Sequence, residues 1–293
     1  MKIGVSSYSF YRYYKDNKIT DLTFPAKAKE MGFESIEYAT LNVPEGEDIR
    51  SWAMKIRKAG DEAGFEISNY TIGADFINGS DGDLEKEIER VKGEVDIAEI
   101  LGAKGMRHDA AWGFKPDYTG PRSFDAVLPR LADGCRAVTE YAAGKGIRTM
   151  VENHGFFVQD SERVEKLICA VNHPNFGWLV DMGNFTCVDE FPGHALGIAM
   201  KYAFHVHAKD FLVKDGNGPH PGEGWFLSRA GQFRRGAIIG HGEVPFVQCL
   251  RLMKNAGYDG VLSVEFESIE DNELGIRLGR ENLIRYLKMA SEQ

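Results

Sequence analysis

Four ionisable residues stand where short apolar runs end. Glu152 follows Met150-Val151, Asp181 follows Leu179-Val180, His207 follows His205-Val206, and Glu265 closes Val261-Leu262-Ser263-Val264. Three carboxylates brought to one point repel each other, and burial adds a desolvation cost. A divalent cation removes the conflict, since three carboxylates and a neutral imidazole then leave a charge of only about −1. Oxygen-rich ligation with one nitrogen suits Mn2+ first, ahead of Mg2+, Co2+ or Zn2+. Two choices between neighbours are needed. His205 and His207 lie two apart and share a side of their strand, but His207 is nearer its carboxyl end. Glu265 ends its apolar run, whereas Glu267 already belongs to the following loop. Singly, a strand histidine is usually a core residue and a terminal glutamate a rim charge. Four together, on consecutive runs and at the same end, point to a site.

The elements that would position them alternate along the whole chain. Short β-branched runs occupy residues 3–7, 35–38, 66–71, 104–108, 147–152, 177–181, 203–209 and 261–265. Amphipathic helical patterns lie between them, at residues 22–31, 49–63, 84–101, 124–145, 161–172, 194–200, 245–255 and 271–289. Five helices run into a glycine just before the next strand, at Gly32, Gly64, Gly102, Gly146 and Gly257. Glycine accepts the left-handed conformation that stops a helix. Eight strand–helix units predict an α/β fold, a (β/α)8 TIM barrel forming one domain over residues 1–293. An open doubly wound sheet would want G-x-G-x-x-G after its first strand, where this chain reads Ser6-Ser7-Tyr8-Ser9-Phe10. The stretch from Phe211 to Gly242 reads as one long loop of the active-site rim.

Barrel enzymes react at the carboxyl ends of their strands. Here those ends also carry Glu37, Asn69, His108-Asp109, Asn153-His154 and Asn184. Trp112, Trp225 and Phe185 offer faces for a sugar ring, although core packing or rim cover is the commoner use of such rings.

Composition narrows the partners. The net charge is −9, from 44 acidic and 35 basic residues, which disfavours nucleic acid and anionic membrane. No apolar run approaches a membrane span, and the first residues lack the apolar core of a signal peptide, so a cytoplasmic protein is expected. Cys135, Cys169, Cys187 and Cys249 form no C-x-x-C pair and are expected as reduced, buried small hydrophobes.

The strand-end motifs resemble a known family, the xylose isomerase-like barrels, and within it the sugar phosphate isomerase/epimerase group. The resemblance covers essentially the whole chain. It is carried by Met150-Val151-Glu152-Asn153-His154, Leu179-Val180-Asp181-Met182-Gly183-Asn184, His205-Val206-His207-Ala208-Lys209-Asp210, Gly240-His241-Gly242-Glu243 and Gly257-Tyr258-Asp259-Gly260, which leads into the run ending at Glu265. It implies one divalent metal on Glu152, Asp181, His207 and Glu265, with Glu152 and Glu265 as the acid–base pair. One glutamate would take a proton beside a carbonyl, an enediolate would form, and the proton would return to give an epimer or an isomer. Glu37, His108, His154, Asn184, Lys209 and Arg235 are expected to meet a small carbohydrate, and barrels of this group often pair into homodimers. Two departures count against a ketose 3-epimerase. Gly155-Phe156-Phe157-Val158 lacks a further carboxylate, and Asn184 stands where histidine is frequent. Inosose and dehydroshikimate dehydratases of the same group stay open. An endonuclease IV-like phosphodiesterase needs more metal-binding histidines than Ala230–Arg235 supplies. A barrel that only binds sugar would show no proton exchange.

Overall fold

The computed structural model describes residues 1–292. Its first seven strands are β1 (Lys2–Ser6), β2 (Ser35–Ala39), β3 (Ile67–Ile72), β4 (Gly105–His108), β5 (Arg148–Glu152), β6 (Phe176–Asp181) and β7 (Ala203–Ala208). Three further strands, β8 (Asp210–Lys214), β9 (Phe226–Leu227) and β10 (Phe233–Ala237), precede β11 (Val261–Val264). Strands β1 to β7 and β11 form a closed barrel in the order β1-β11-β7-β6-β5-β4-β3-β2, all pairs parallel. The two ends of the chain therefore meet, with Ile3 opposite Leu262 and Val5 opposite Val264.

Helices ring the barrel. They are α1 (Tyr11–Lys15), α2 (Phe24–Glu30), α3 (Ile49–Ala63), α4 (Leu84–Leu101), α5 (Phe124–Ala143), α6 (Ser161–Val171), α7 (Pro192–Ala199), α8 (Phe246–Asn255) and α9 (Asn272–Ser291). All but the short α1 bury one face. Their starts are chemically marked. The side chains of Asp48, Asp83, Ser123, Asp160 and Asp271 each accept a first-turn amide. The five glycine stops all adopt positive φ, between 71° and 79°. No helix of the described residues is long and apolar enough to cross a membrane.

Two stretches differ from expectation. The Phe211–Gly242 region is not one loop, because β8, β10 and β9 pair antiparallel in a small sheet beyond the barrel. Adjacent Arg234 and Arg235 break the polar–apolar alternation that would have marked β10, and glycines and prolines fill the turn before it. The aromatic run after β1, to which the sequence patterns assign no element, forms a 3-10 turn over Ser7–Phe10 and the short helix α1. Among the cysteines, Cys169 is exposed while the other three are buried.

Candidate active site

Strand phase decides what reaches the mouth. Alternate residues of a strand face opposite sides, so only one parity enters the barrel. The ladders then fix heights: Asp181 lies opposite His207, and Ser263, two residues before Glu265, lies opposite His207 on its other side. As a result Glu152, Asp181, His207 and Glu265 each offer a ligand atom within 4.8 Å of the others.

His207 is central to the group. Its Nδ1 lies 3.8 Å from Glu152 Oε1, 3.8 Å from Asp181 Oδ2 and 3.6 Å from Glu265 Oε1. Neither His207 Nδ1 nor Asp181 Oδ2 has a hydrogen-bond partner, although both are buried. Two orphaned polar atoms facing one point are costly unless something else satisfies them. The other oxygen of Asp181 is fully used, accepting the amides of Gly183 and Asn184 at 2.8 Å each. Asp181 thus keeps one oxygen for structure and turns the other to the cluster. Three carboxylate oxygens and one imidazole nitrogen are a donor set that fits a divalent cation.

Electrostatics agree. Burial first, then the carboxylates of Glu265 and Glu152, push the Asp181 carboxyl up to about 7, with Lys209 pulling against them. Burial opposes the charge on Glu265 as well, but Lys209 and His207 hold its carboxyl well below the usual range. His207 loses by burial and gains more from Glu37 and Glu265, so its pKa lies well above that of a free imidazole.

The two glutamates are treated alike. Each turns one oxygen toward the cluster and the other toward a cation in the wall. Glu152 Oε2 lies 2.7 Å from Arg107 Nη2, and Glu265 Oε2 lies 2.5 Å from Lys209 Nζ. Arg107 also binds Asp109 Oδ1 at 2.9 Å, and Asp109 Oδ1 in turn holds His154 Nδ1 at 3.0 Å. Asn184 Nδ2 donates to Glu152 Oε1 at 3.0 Å. Asn153 braces β5 against β6, accepting Trp178 Nε1 and the Asp181 amide while donating to the Asp181 carbonyl. Gly183 lets that turn pack tightly, since a Cβ there would sit 2.7 Å from the Lys209 carbonyl oxygen.

A cavity of about 460 Å³ opens directly above the cluster. Glu152, Glu265, Arg107, Asp109, His154 and Lys209 form its polar wall. Tyr8 and Trp112 give it aromatic faces, and Trp112 is 51% exposed.

Several expected substrate contacts sit elsewhere. Glu37 is fully buried beneath the cluster, 2.6 Å from His207 Nε2 and 2.7 Å from His205 Nε2, so it supports His207 and is shut off from the cavity. His108 faces outward, its ring packed between Phe76 and Phe176, and burial lowers its pKa to about 4. The residue of β4 that enters the mouth is its neighbour Arg107, which was not anticipated. A signal for it existed: Met106-Arg107 repeats the apolar-then-polar step of Val151-Glu152, Val180-Asp181 and Val206-His207. Asn184 holds Glu152 and is not in the cavity lining. Arg235 lies outside the lining too, bound to Glu270 at 2.9 Å beside Trp225. Arg229 and Arg234 are likewise tied, to Asp160 at 2.8 Å and Asp189 at 3.0 Å. Of the expected substrate contacts, His154 and Lys209 do line the cavity, where Tyr8, Asp109 and Glu267 join them.

An inosose dehydratase of Geobacillus thermodenitrificans is 25% identical over 199 residues, 63% of this chain and 64% of that enzyme, so the match spans just under two thirds of its length. The structure of an L-ribulose 3-epimerase superposes with a TM-score of 0.71 at 17% identity, covering 99% of this chain and 96% of that one. A xylose isomerase-like TIM barrel protein from Mycobacterium smegmatis, in complex with magnesium, superposes with a TM-score of 0.66 at 18% identity over 92% of this chain and 88% of that one. At such identities the structural likeness speaks for the fold. Residues 25–286 match the family described as xylose isomerase-like TIM barrel, and the chain belongs to that family.

Proposed function

We propose that this chain is a metal-dependent sugar or polyol isomerase or epimerase that moves a proton at the carbon beside a carbonyl. The observation that carries the reading is the matched pair of glutamates, each with one oxygen on a shared donor cluster and one on a wall cation. A divalent ion on Glu152, Asp181, His207 and Glu265, Mn2+ in first place, would polarise the substrate oxygens as a Lewis acid. The chain's own residues do the rest. Lys209 keeps the Glu265 carboxylate ionised, the protonation state a general base needs. Glu152, held by Arg107 and Asn184, stands across the cluster to return one. Return to the same carbon from the opposite face gives an epimer, and delivery to the next carbon gives an isomer.

Dehydration is the second reading, favoured by one further feature. Asp109 outweighs the effect of burial and raises the pKa of His154, so two proton carriers, Lys209 and His154, stand on the cavity wall. Either is able to protonate a departing hydroxyl, as an inosose or dehydroshikimate dehydratase requires. The net acidic charge continues to disfavour a phosphodiesterase acting on nucleic acid.

The test is exchange in D2O, with Mn2+ added, over a panel of ketoses, inososes and small hydroxy acids. Deuterium at one carbon, seen by NMR, is the expected result, and an absorbing enone would mark dehydration. Glu152→Gln should abolish exchange with the fold intact. Binding of a panel member with no exchange at any carbon would leave only a sugar-binding barrel.

A further inference from the structure

We infer that the substrate is an uncharged polyhydroxylated carbonyl compound, a free ketose or an inosose in class, rather than a sugar phosphate or a hydroxy acid. The inference rests on the proton-transfer reading above and narrows it. Its ground is the supply of positive charge. Three basic side chains line the cavity, Arg107, His154 and Lys209. Each is already matched: Arg107 with Glu152 and Asp109, His154 with Asp109, and Lys209 with Glu265 at 2.5 Å and Glu267 at 3.2 Å. Among the described residues no cation lining this cavity is left over. Arg229, Arg234 and Arg235, the arginines best placed by sequence to meet an anion, are bound to Asp160, Asp189 and Glu270 outside the lining.

The carboxylates outnumber these cations. Asp109, Glu152, Asp181, Glu265 and Glu267 crowd the cluster and mouth, against the permanent charges of Arg107 and Lys209. A divalent ion reduces the deficit without reversing it. A phosphate or carboxylate entering here would meet Asp109 or Glu267 with no unpaired cation to offset the repulsion, which is how a site rejects a wrong ligand. Lys15 is the basic residue of an adjoining groove beyond Tyr8. It is exposed there as a single hydrated ammonium, a weak anchor for a dianion.

Hydrogen-bond chemistry gives the positive half of the argument. Ionised carboxylates only accept, and Asp109 and Glu267, although each of their oxygens already meets a donor, keep spare lone pairs that suit a ligand rich in donors. Hydroxyl groups supply donors and a phosphate dianion has none. The half-exposed face of Trp112 offers apolar cover for the C–H side of such a ring.

The experiment uses the Mn2+-loaded protein in D2O with matched pairs, D-ribulose against D-ribulose 5-phosphate and D-fructose against D-fructose 6-phosphate, and with scyllo-inosose and 3-dehydroshikimate as further neutral and anionic probes. In any pair that reacts, the neutral member should exchange faster by about a hundredfold or more. A charged member that exchanges as fast as its neutral partner overturns the inference and leaves the proton-transfer reading standing. Silence from every pair and probe overturns that reading itself. A second measurement needs no substrate: inorganic phosphate at about 10 mM should move the melting temperature of the metal-free protein by less than about 1 °C. A saturable phosphate-dependent rise that survives Arg122→Gln in the second, more basic cavity but is lost in Lys209→Met would place an anion site here and overturn the inference whatever the panel gives.

Discussion

Replacing Arg107 by methionine should destabilise the metal-free protein by about 3 kcal/mol, and more at pH 8 than at pH 5. The guanidinium side chain is 9% exposed and lies 2.7 Å from Glu152 and 2.9 Å from Asp109. Methionine fills much of its volume but leaves both carboxylates buried without their cation. Removing one partner of a buried pair costs about 3–5 kcal/mol. The lower end applies here, because His154 remains 3.0 Å from Asp109 and takes over part of the neutralisation. For a chain of 293 residues the unfolding entropy is about 0.6 kcal/mol/K, so the loss corresponds to about 5 °C in melting temperature. The sign of the pH effect follows from Asp109. Burial opposes its charge, yet Arg107 holds its carboxyl below the usual value, so its stabilisation is present above the unfolded carboxylate pKa of about 4. Without Arg107 the folded pKa moves upward instead, and the deficit grows as pH rises through it. Thermal melts of both metal-free proteins at pH 5 and pH 8 read this directly. A drop below about 2 °C at pH 8, or the same drop at both values, would refute the ion-pair role of Arg107.

Other outcomes follow from the same geometry. Glu37→Gln should weaken Mn2+ binding by about 10–100-fold in calorimetric titration, since the amide cannot oppose both His205 and His207 as a carboxylate does. Unchanged affinity in a folded variant would make Glu37 a mere filler. His207→Ala should lower metal content sharply in dialysed protein, and retention of the metal would reassign that ligand. Because burial pushes the Asp181 carboxyl up to about 7 and His207, whose pKa is raised, must also lose its proton to bind metal, metal affinity should fall by at least about tenfold per pH unit from pH 7 to pH 5. A flat titration over that range would show Asp181 already ionised. Gly183→Ala should impair both folding yield and metal binding, because its Cβ meets the Lys209 backbone.

The barrel was legible because its signals are local. A glycine that stops a helix, such as Gly64 or Gly102, needs no knowledge of distant contacts, and both adopt the left-handed conformation their position required. The four clustered residues were legible for a related reason, since a strand end and a residue type suffice to nominate Glu152 or Asp181. Failures came where parity or partners decide. His108 and Arg107 are adjacent, and the register of β4 against β5 decides which one enters the barrel. Glu37 has the right type and strand end, yet two histidines from another strand cover it. Arg235 is basic and near the rim, but Glu270, far along the sequence, claims it. The small sheet of β8, β9 and β10 escaped because its pairing is non-local and its central strand is charged.

The four clustered side chains come from strands that are neighbours in the barrel, β5, β6, β7 and β11, while Arg107, Asp109 and Tyr8 reach the mouth from the remaining arc. Within that second arc Tyr8 and Trp112 can vary without touching the donor cluster, whereas Arg107 and Glu37 cannot, since they hold Glu152 and His207. Changes of register within the first arc have no such freedom, because a slip of one residue displaces a donor by about 3.3 Å and turns it to the opposite face.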